Sequence, residues 1–178
     1  MKTYTGKTVD DAVSKACLDL GVTIDQLNYE VTLETKGLFS KKAEIACWTV
    51  EMVQEYIENL IRKILTDMQF EVETVSYVQD GRIYCNINTS NNSILIGKAG
   101  VILRAINLII KNAVSTTFKK RLEVSVDING YKEEKYHKEC SMALRVAKTV
   151  QKTKINASLD PMPNDERKAI HSYLVNMP

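Results

Sequence analysis

Apolar and polar residues change their period several times along this chain, and each change marks an element. Val9, Ala12, Val13, Ala16, Cys17 and Leu20 recur at helical spacing. Thr8 and Asp11 are spaced to cap the start of that helix, and Gly21 ends it. Lys2–Thr5 forms a short strand ahead of it. The period then drops to two: Tyr29, Val31 and Leu33 alternate with Glu30, Thr32 and Glu34, the pattern of a half-buried strand. Lys36-Gly37-Leu38-Phe39 makes a turn, and Ala43, Ile45 and Cys47 alternate on the return. Residues 1–50 thus predict a β-α-β-β unit.

From Met52 the helical period resumes. Val53, Tyr56, Ile57, Leu60, Ile61, Ile64, Leu65 and Met68 share its stripe for more than four turns, as core material. Strands over 72–78 and 83–89 flank Asp80-Gly81, a tight hairpin signal. A short helix over 92–96 leads into Gly97-Lys98-Ala99-Gly100, a second helix covers about 101–118, and a strand over 122–128 sets Leu122, Val124, Val126 and Ile128 on one face. The order over 51–130 is α-β-β-α-α-β. After Asn129-Gly130 a long helix spans about 131–153, with Tyr136, Cys140, Ala143, Leu144, Ala147 and Val150 as its apolar side. Leu159-Asp160-Pro161-Met162-Pro163 breaks it, and a last helix begins near Asn164. The fold class is α+β, in three small units over 1–50, 51–130 and 131–178.

The 178 residues are 44% hydrophobic and 26% charged, which suits folded globular units rather than disorder. No continuous apolar run approaches the roughly 18 residues of a membrane span, and the N-terminus lacks the apolar stretch of a signal peptide. A cytoplasmic protein without a membrane span is expected. Cys17, Cys47, Cys85 and Cys140 form no CxxC pair and read as buried thiols in a reducing compartment. Net charge is only +2, but its distribution is uneven. Between Gly81 and Leu122 lie Arg82, Lys98, Arg104, Lys111, Lys119, Lys120 and Arg121, with no acid. From Cys140 to Leu159, Arg145, Lys148, Lys152 and Lys154 again have no acid among them. Two such windows fit a polyanionic partner.

The most informative stretch runs from Ile94 to Ile106 around the G-x-x-G loop. Two glycines let a backbone approach a sugar-phosphate chain closely. A helix that starts at the loop turns its free N–H groups and positive end toward phosphates, and Lys98 adds a full charge at the tip. An ordinary helix–helix turn is the structural alternative. The loop with the α-β-β-α-α-β order resembles a type II KH domain over about residues 51–130. That resemblance implies a groove beside the loop for about four nucleotides. Ile96, Gly97, Lys98, Ala99, Gly100, Val101 and Arg104 are its candidate RNA contacts. Ile96, Val101 and Ile102 are read as either groove wall or core.

Arg167 and His171, four apart on the last helix, share one face and can grip a phosphate or stack on a base together. Alone, such a pair is usually a solvated face. Leu159-x-Pro161-Met162-x-x-x-Glu166-Arg167-x-x-Ile170-His171 is similar to the signature of the Arg-x-x-x-His domain, a single-stranded nucleic-acid module. Its later part, a Ser-, Gly- and Arg-bearing segment leading to a closing strand, does not follow before Pro178, so the unit is expected to contribute mainly helices. The helix over 9–20 and the Lys36-Gly37-Leu38-Phe39 turn resemble the N-terminal domain of the Jag family, also called EloR or KhpB. That family carries these three domains in this order. The resemblance implies a bacterial RNA-binding regulator of cell elongation or sporulation, often paired with a small stand-alone KH protein.

Enzyme readings find little support. No nucleophile motif accompanies His137 or His171, the loop lacks the longer pattern of nucleotide hydrolases, and His137 with Cys140 is too few ligands for a metal. No cofactor or metal is expected. Single-stranded RNA is the expected partner, with single-stranded DNA as the alternative. A scaffold that uses the KH fold for homodimerisation, or to hold another KH protein, is the rival.

Overall fold

The computed structural model describes residues 1–36 and 41–175, and its elements follow the expected α+β order. β1 (Lys2–Gly6), α1 (Val9–Leu20), β2 (Asn28–Lys36) and β3 (Lys41–Trp48) build an antiparallel sheet of order β1-β3-β2. The Thr8 hydroxyl accepts from the Asp11 amide at 3.2 Å, as the capping pattern predicts. The reciprocal bond differs: the Asp11 carboxylate accepts from the Lys7 amide at 2.8 Å. Ala12, Val13 and Ala16 pack with Leu27, Ile45 and Cys47 into a small core.

The alternation in β2 does not bury one face. Tyr29, Val31 and Leu33 are 46%, 42% and 44% exposed. β2 is an edge strand, and α1 packs mainly over β1 and β3. A bulge between Val31 and Leu33 also shifts the register, so that Leu33 pairs with Glu44 while Val31 pairs with Ile45. The turn expected at Lys36-Gly37-Leu38-Phe39 lies outside the described residues.

α2 (Val50–Asp67), β4 (Glu73–Gln79), β5 (Arg82–Asn88), α3 (Asn92–Ile96), α4 (Val101–Phe118) and β6 (Val124–Ile128) give the α-β-β-α-α-β order. The second sheet runs β4-β5-β6, antiparallel in the first pair and parallel in the second. Asp80 and Gly81 close the hairpin with φ of 50° and 73°, the positive pair a two-residue turn requires. Val53, Ile57, Ile61 and Leu65 of α2 and Leu103, Ile110, Val114 and Phe118 of α4 are buried on the sheet's inner face. Met68, expected to continue the α2 stripe, stands at the C-cap and is 58% exposed.

Trp48 ends β3 but belongs to this second core, edge-on to Phe118 with ring centroids 5.4 Å apart. Beside it, Lys119 pairs with Glu30 at 3.0 Å and Lys120 donates to the Asn28 side chain at 2.9 Å. Two bases of the acid-free window therefore tie α4 to β2. Cys47, Cys85 and Cys140 are buried, and Cys17 is half-buried.

α5 (Tyr131–Thr153) and α6 (Asn164–Leu174) share a third, small core of Cys140, Ala143 and Ile170. The Asn129-Gly130 junction ahead of α5 is not loose. The Asn129 side chain donates to the Thr89 carbonyl at 2.9 Å and accepts from its amide at 3.2 Å.

By length and composition alone, the stretch Asn92–Phe118 is apolar enough to cross a membrane. A core helix of a sheet-packed unit reads the same way. Here the stretch is interrupted between Gly97 and Gly100, and α4 lays Leu103, Ile110, Val114 and Phe118 on the sheet while leaving Val101, Ile102, Leu108 and Ile109 exposed; only 22% of the apolar window is buried.

β6 has β5 on one side and an open edge on the other. Asn107 of α4 closes that edge: its side-chain amide donates to the Val126 carbonyl at 2.7 Å and accepts from the Val126 amide at 2.9 Å. Val126 is fully buried, and an unpaired buried backbone group costs about 1–3 kcal/mol. Asn107→Ala is expected to lower unfolding stability by about that amount, read as a lower urea midpoint at constant slope. A midpoint within experimental error of wild type would mean that water satisfies the edge equally well.

Candidate nucleic-acid interface

The G-x-x-G loop has a backbone that few other residue types tolerate. Gly97 has φ 70° and ψ 176°, a region essentially restricted to glycine. A Cβ there would lie 2.7 Å from Ile102 Cγ1. Gly100 has φ 77°, and its Cβ would stand 3.1 Å from the Tyr131 ring. Ala99 adopts the left-handed region at φ 52°. Lys98 and Ala99 are exposed at the tip. α4 begins at Val101 with no side-chain cap and no acid in its own first turn, so the helix start carries no acid of its own against an anion.

The other candidates around the loop separate. Ile96 packs against the core, whereas Val101 and Ile102 are 56% and 42% exposed. Arg104 turns back and donates to the Ala99 carbonyl at 2.7 Å.

The second signature divides by burial. Ile170 belongs to the third core, Leu159 and Met162 pack half-buried against it, and Glu166 is 5% exposed. Arg167 and His171 stay exposed on α6, and the Arg167 guanidinium donates to Asn164 at 3.3 Å. Four residues of spacing places the pair one turn apart.

Lys135 of α5 joins the two regions. Its ammonium donates to Glu166, lies 3.6 Å from Glu139 and reaches the Ala99 carbonyl at 3.4 Å. Burial works against its charge, but Glu166 prevails and holds its pKa above the ordinary lysine range. Tyr131, at the start of α5, packs on Gly100. The loop tip is thus braced by Arg104 from α4 and by Lys135 and Tyr131 from α5.

Beside the loop a cleft of about 990 Å³ runs along β6 between α4 and α5. Arg104, Asn107, Leu108 and Lys111 line one side, and Lys132, Tyr136 and His137 the other. The first window holds no acid in sequence, but its surroundings in space do. Glu123, Asp127, Glu133 and Asp165 border the same cleft, and Arg82 pairs with Glu123 at 3.7 Å. Burial lowers the Lys132 pKa and raises that of Asp127. Arg167 and His171 do not line this cleft; Asp165 and Tyr173 of α6 do. Among the described residues no cluster of three or more metal-ligating side chains occurs.

Residues 4–47 match the family model for the Jag N-terminus. The RNA-binding protein KhpB of Clostridium symbiosum is 30% identical over 182 residues, covering 99% of this chain and 82% of that protein. The chain belongs to the Jag (KhpB) family. The RNA-binding protein KhpB of Bacillus subtilis is 28% identical, covering 97% of this chain and 85% of that protein. The Streptococcus pneumoniae D39 protein of the same name is 26% identical over 72% of this chain and 39% of its own length.

In this KhpB-family chain, sequence reasoning missed Lys135, Tyr131 and Asn107. The i, i+4 pairing of Lys135 with Glu139 is legible, but Glu166 and Ala99 lie too far away in sequence for any local pattern to reveal. Glu139 is the uneasy member: its Oε2 is buried without a hydrogen-bond partner. Burial, then the Glu166 charge, raises its pKa.

The folded state therefore holds the Glu139 proton more tightly than the unfolded chain does. Its contribution to stability is greatest in acid and is lost as pH rises through the raised pKa. Glu139→Gln removes that loss and keeps an oxygen for Lys135. The variant is expected to melt higher than wild type near neutral pH, with the gap closing toward about pH 4. A melting difference independent of pH would contradict this assignment.

Proposed function

We propose that this chain is an RNA-binding regulatory protein that holds single-stranded RNA at its G-x-x-G loop and at the Arg167–His171 pair. In this reading residues 1–50 are the Jag N-terminal domain, 51–130 a type II KH domain and 131–178 an Arg-x-x-x-His unit. The protein acts in the cytoplasm, in cell elongation or sporulation. Ile96, Gly97, Lys98, Ala99, Gly100, Val101 and Arg104 serve the first contact, with Gly97 and Gly100 setting the backbone and Lys98 meeting phosphate.

One observation carries the reading: a glycine-bounded loop with an exposed lysine tip at an acid-free helix start, in a chain whose relatives bear the name RNA-binding protein KhpB. The exposed apolar residues of β2 favour a second role, a protein contact made by the N-terminal sheet.

Lys98→Asp combined with Ala99→Asp tests the loop. Both positions are exposed, so packing loses little, and acids near a helix start stabilise it by about 0.3–1 kcal/mol. The same charges would face RNA phosphates, where like-charge contact costs several kcal/mol. A native melt with RNA affinity down by at least about tenfold is expected. In wild type, log affinity should fall with log salt by about 0.7 per phosphate neutralised. Full RNA binding by the folded variant, or a flat salt response, would overturn the loop assignment.

Arg167→Ala with His171→Ala tests the second contact. The pair is exposed on α6, so circular dichroism should not change while affinity for single strands falls. Affinity equal to wild type for RNA and for matched DNA would show that the pair is only a solvated face.

A further inference from the structure

The second sheet has a face that the loop and the Arg–His pair leave unused. Side chains alternate across a strand, so Tyr77, Tyr84 and Ser125, aligned in register, lie opposite the core face of Ile83, Cys85 and Val126. Tyr77 and Tyr84 stack with ring centroids 5.2 Å apart and planes 11° from parallel. A cross-strand aromatic pair can serve the sheet alone. This one is left open: Tyr77 is 43% exposed, and both rings border the cleft along β6.

The surrounding chemistry is not that of a bare phosphate groove. Beside the rings stand Asn86, Ser125 and Asp127, which offer an amide, a hydroxyl and a carboxyl. Lys132 reaches Ser125 at 2.9 Å. Such mixed donors and acceptors next to an aromatic face match the edge of an unpaired base, which proteins read by stacking and hydrogen bonds together. The cleft is also continuous with the loop. Arg104 touches the Ala99 carbonyl and lines the cleft, and Leu108 and Lys111 continue its helix face one and two turns on.

We propose that this cleft is a second subsite for the same RNA strand, in which unpaired bases stack on Tyr84 and Tyr77 while Arg104 and Lys111 follow the backbone away from the loop. The assignment rests on the RNA reading above. It makes the binding footprint longer than the roughly four nucleotides a loop groove holds.

The test compares oligoadenylates of about four and about ten nucleotides, the first matched to the loop groove. Wild type is expected to bind the longer one more tightly. Tyr77→Ala with Tyr84→Ala should cost about tenfold or more on the longer strand, the worth of stacking one base, and leave the shorter one unchanged. Tyr84→Phe should retain full affinity. Equal losses on both lengths, or none, would overturn the subsite and leave the tyrosines as a sheet-stabilising pair. Wild type that binds neither length would instead sink the RNA reading itself. A measurement on the unaltered protein guards against a misfolded variant. RNA of about ten nucleotides carrying 4-thiouridine, a length beyond the loop groove, should photocrosslink to the strands bearing Tyr77 or Tyr84. Crosslinks confined to the loop and α6 would overturn the proposal.

Discussion

A strand at the edge of a sheet must pair its backbone or leave it bare, and in this protein β6 settles where everything else stands. Val126 is fully buried and has β5 on one side only. Asn107 supplies the missing donor and acceptor, which fixes α4 along the strand. With α4 fixed, the loop at its start is fixed too. The end of β6 runs through Asn129-Gly130 into α5, and Asn129 is pinned to Thr89. The direction of α5 is thereby set, and with it the reach of Tyr131 and Lys135 to the loop. The satisfied edge, together with the buried face of α4 and the Asn129 contacts, orients the loop and the start of α5.

Charge behaves differently in sequence and in space. The acid-free window from Gly81 to Leu122 reads as a basic surface, but its bases are put to separate uses. Lys119 and Lys120 hold β2, Arg82 meets Glu123, and Arg104 braces the loop. Lys98 is exposed at the loop tip. A polyanion would therefore meet a few placed cations beside mixed polar walls, not a uniform positive field. Such an arrangement suits short-range recognition more than long-range steering, because charges of both signs cancel beyond about a Debye length of 8–10 Å.

The elements were legible where one period persisted. α2 buries the centre of its predicted stripe, at Val53, Ile57, Ile61 and Leu65, and the Asp80-Gly81 hairpin follows from residue types that accept positive φ. β2 was misread because alternation shows which side chains share a face, not whether a helix covers that face. The bulge at Thr32 has no residue signature; it is seen only in the pairing with β3. The loop's glycines were legible, and the strained Ala99 between them was not. The cleft was illegible, since it joins residues from β4 to α6 that no local pattern links.

The Arg-x-x-x-His signature shows why a motif is a mixture of roles. Its Ile170 joins Cys140 and Ala143 in a core of three buried residues, with Leu159 and Met162 half-buried against it, too small to fix α6 firmly by apolar burial alone. Glu166 adds a buried ion pair with Lys135, whose side chains are 6% and 18% exposed. Such a pair adds little net stability, but breaking one side is costly, so it specifies an arrangement more than it strengthens one. Lys135 also reaches Ala99, and the arrangement it specifies is that of α6 relative to the loop. Arg167 and His171 are carried on that same helix. If both contacts engage one strand, their spacing is preset rather than searched, and the second contact forms at the high effective concentration of a rigid connection. Under that proposal the two contacts would act as one, and the Lys135–Glu166 pair, which also reaches the loop through Ala99, is the link between them.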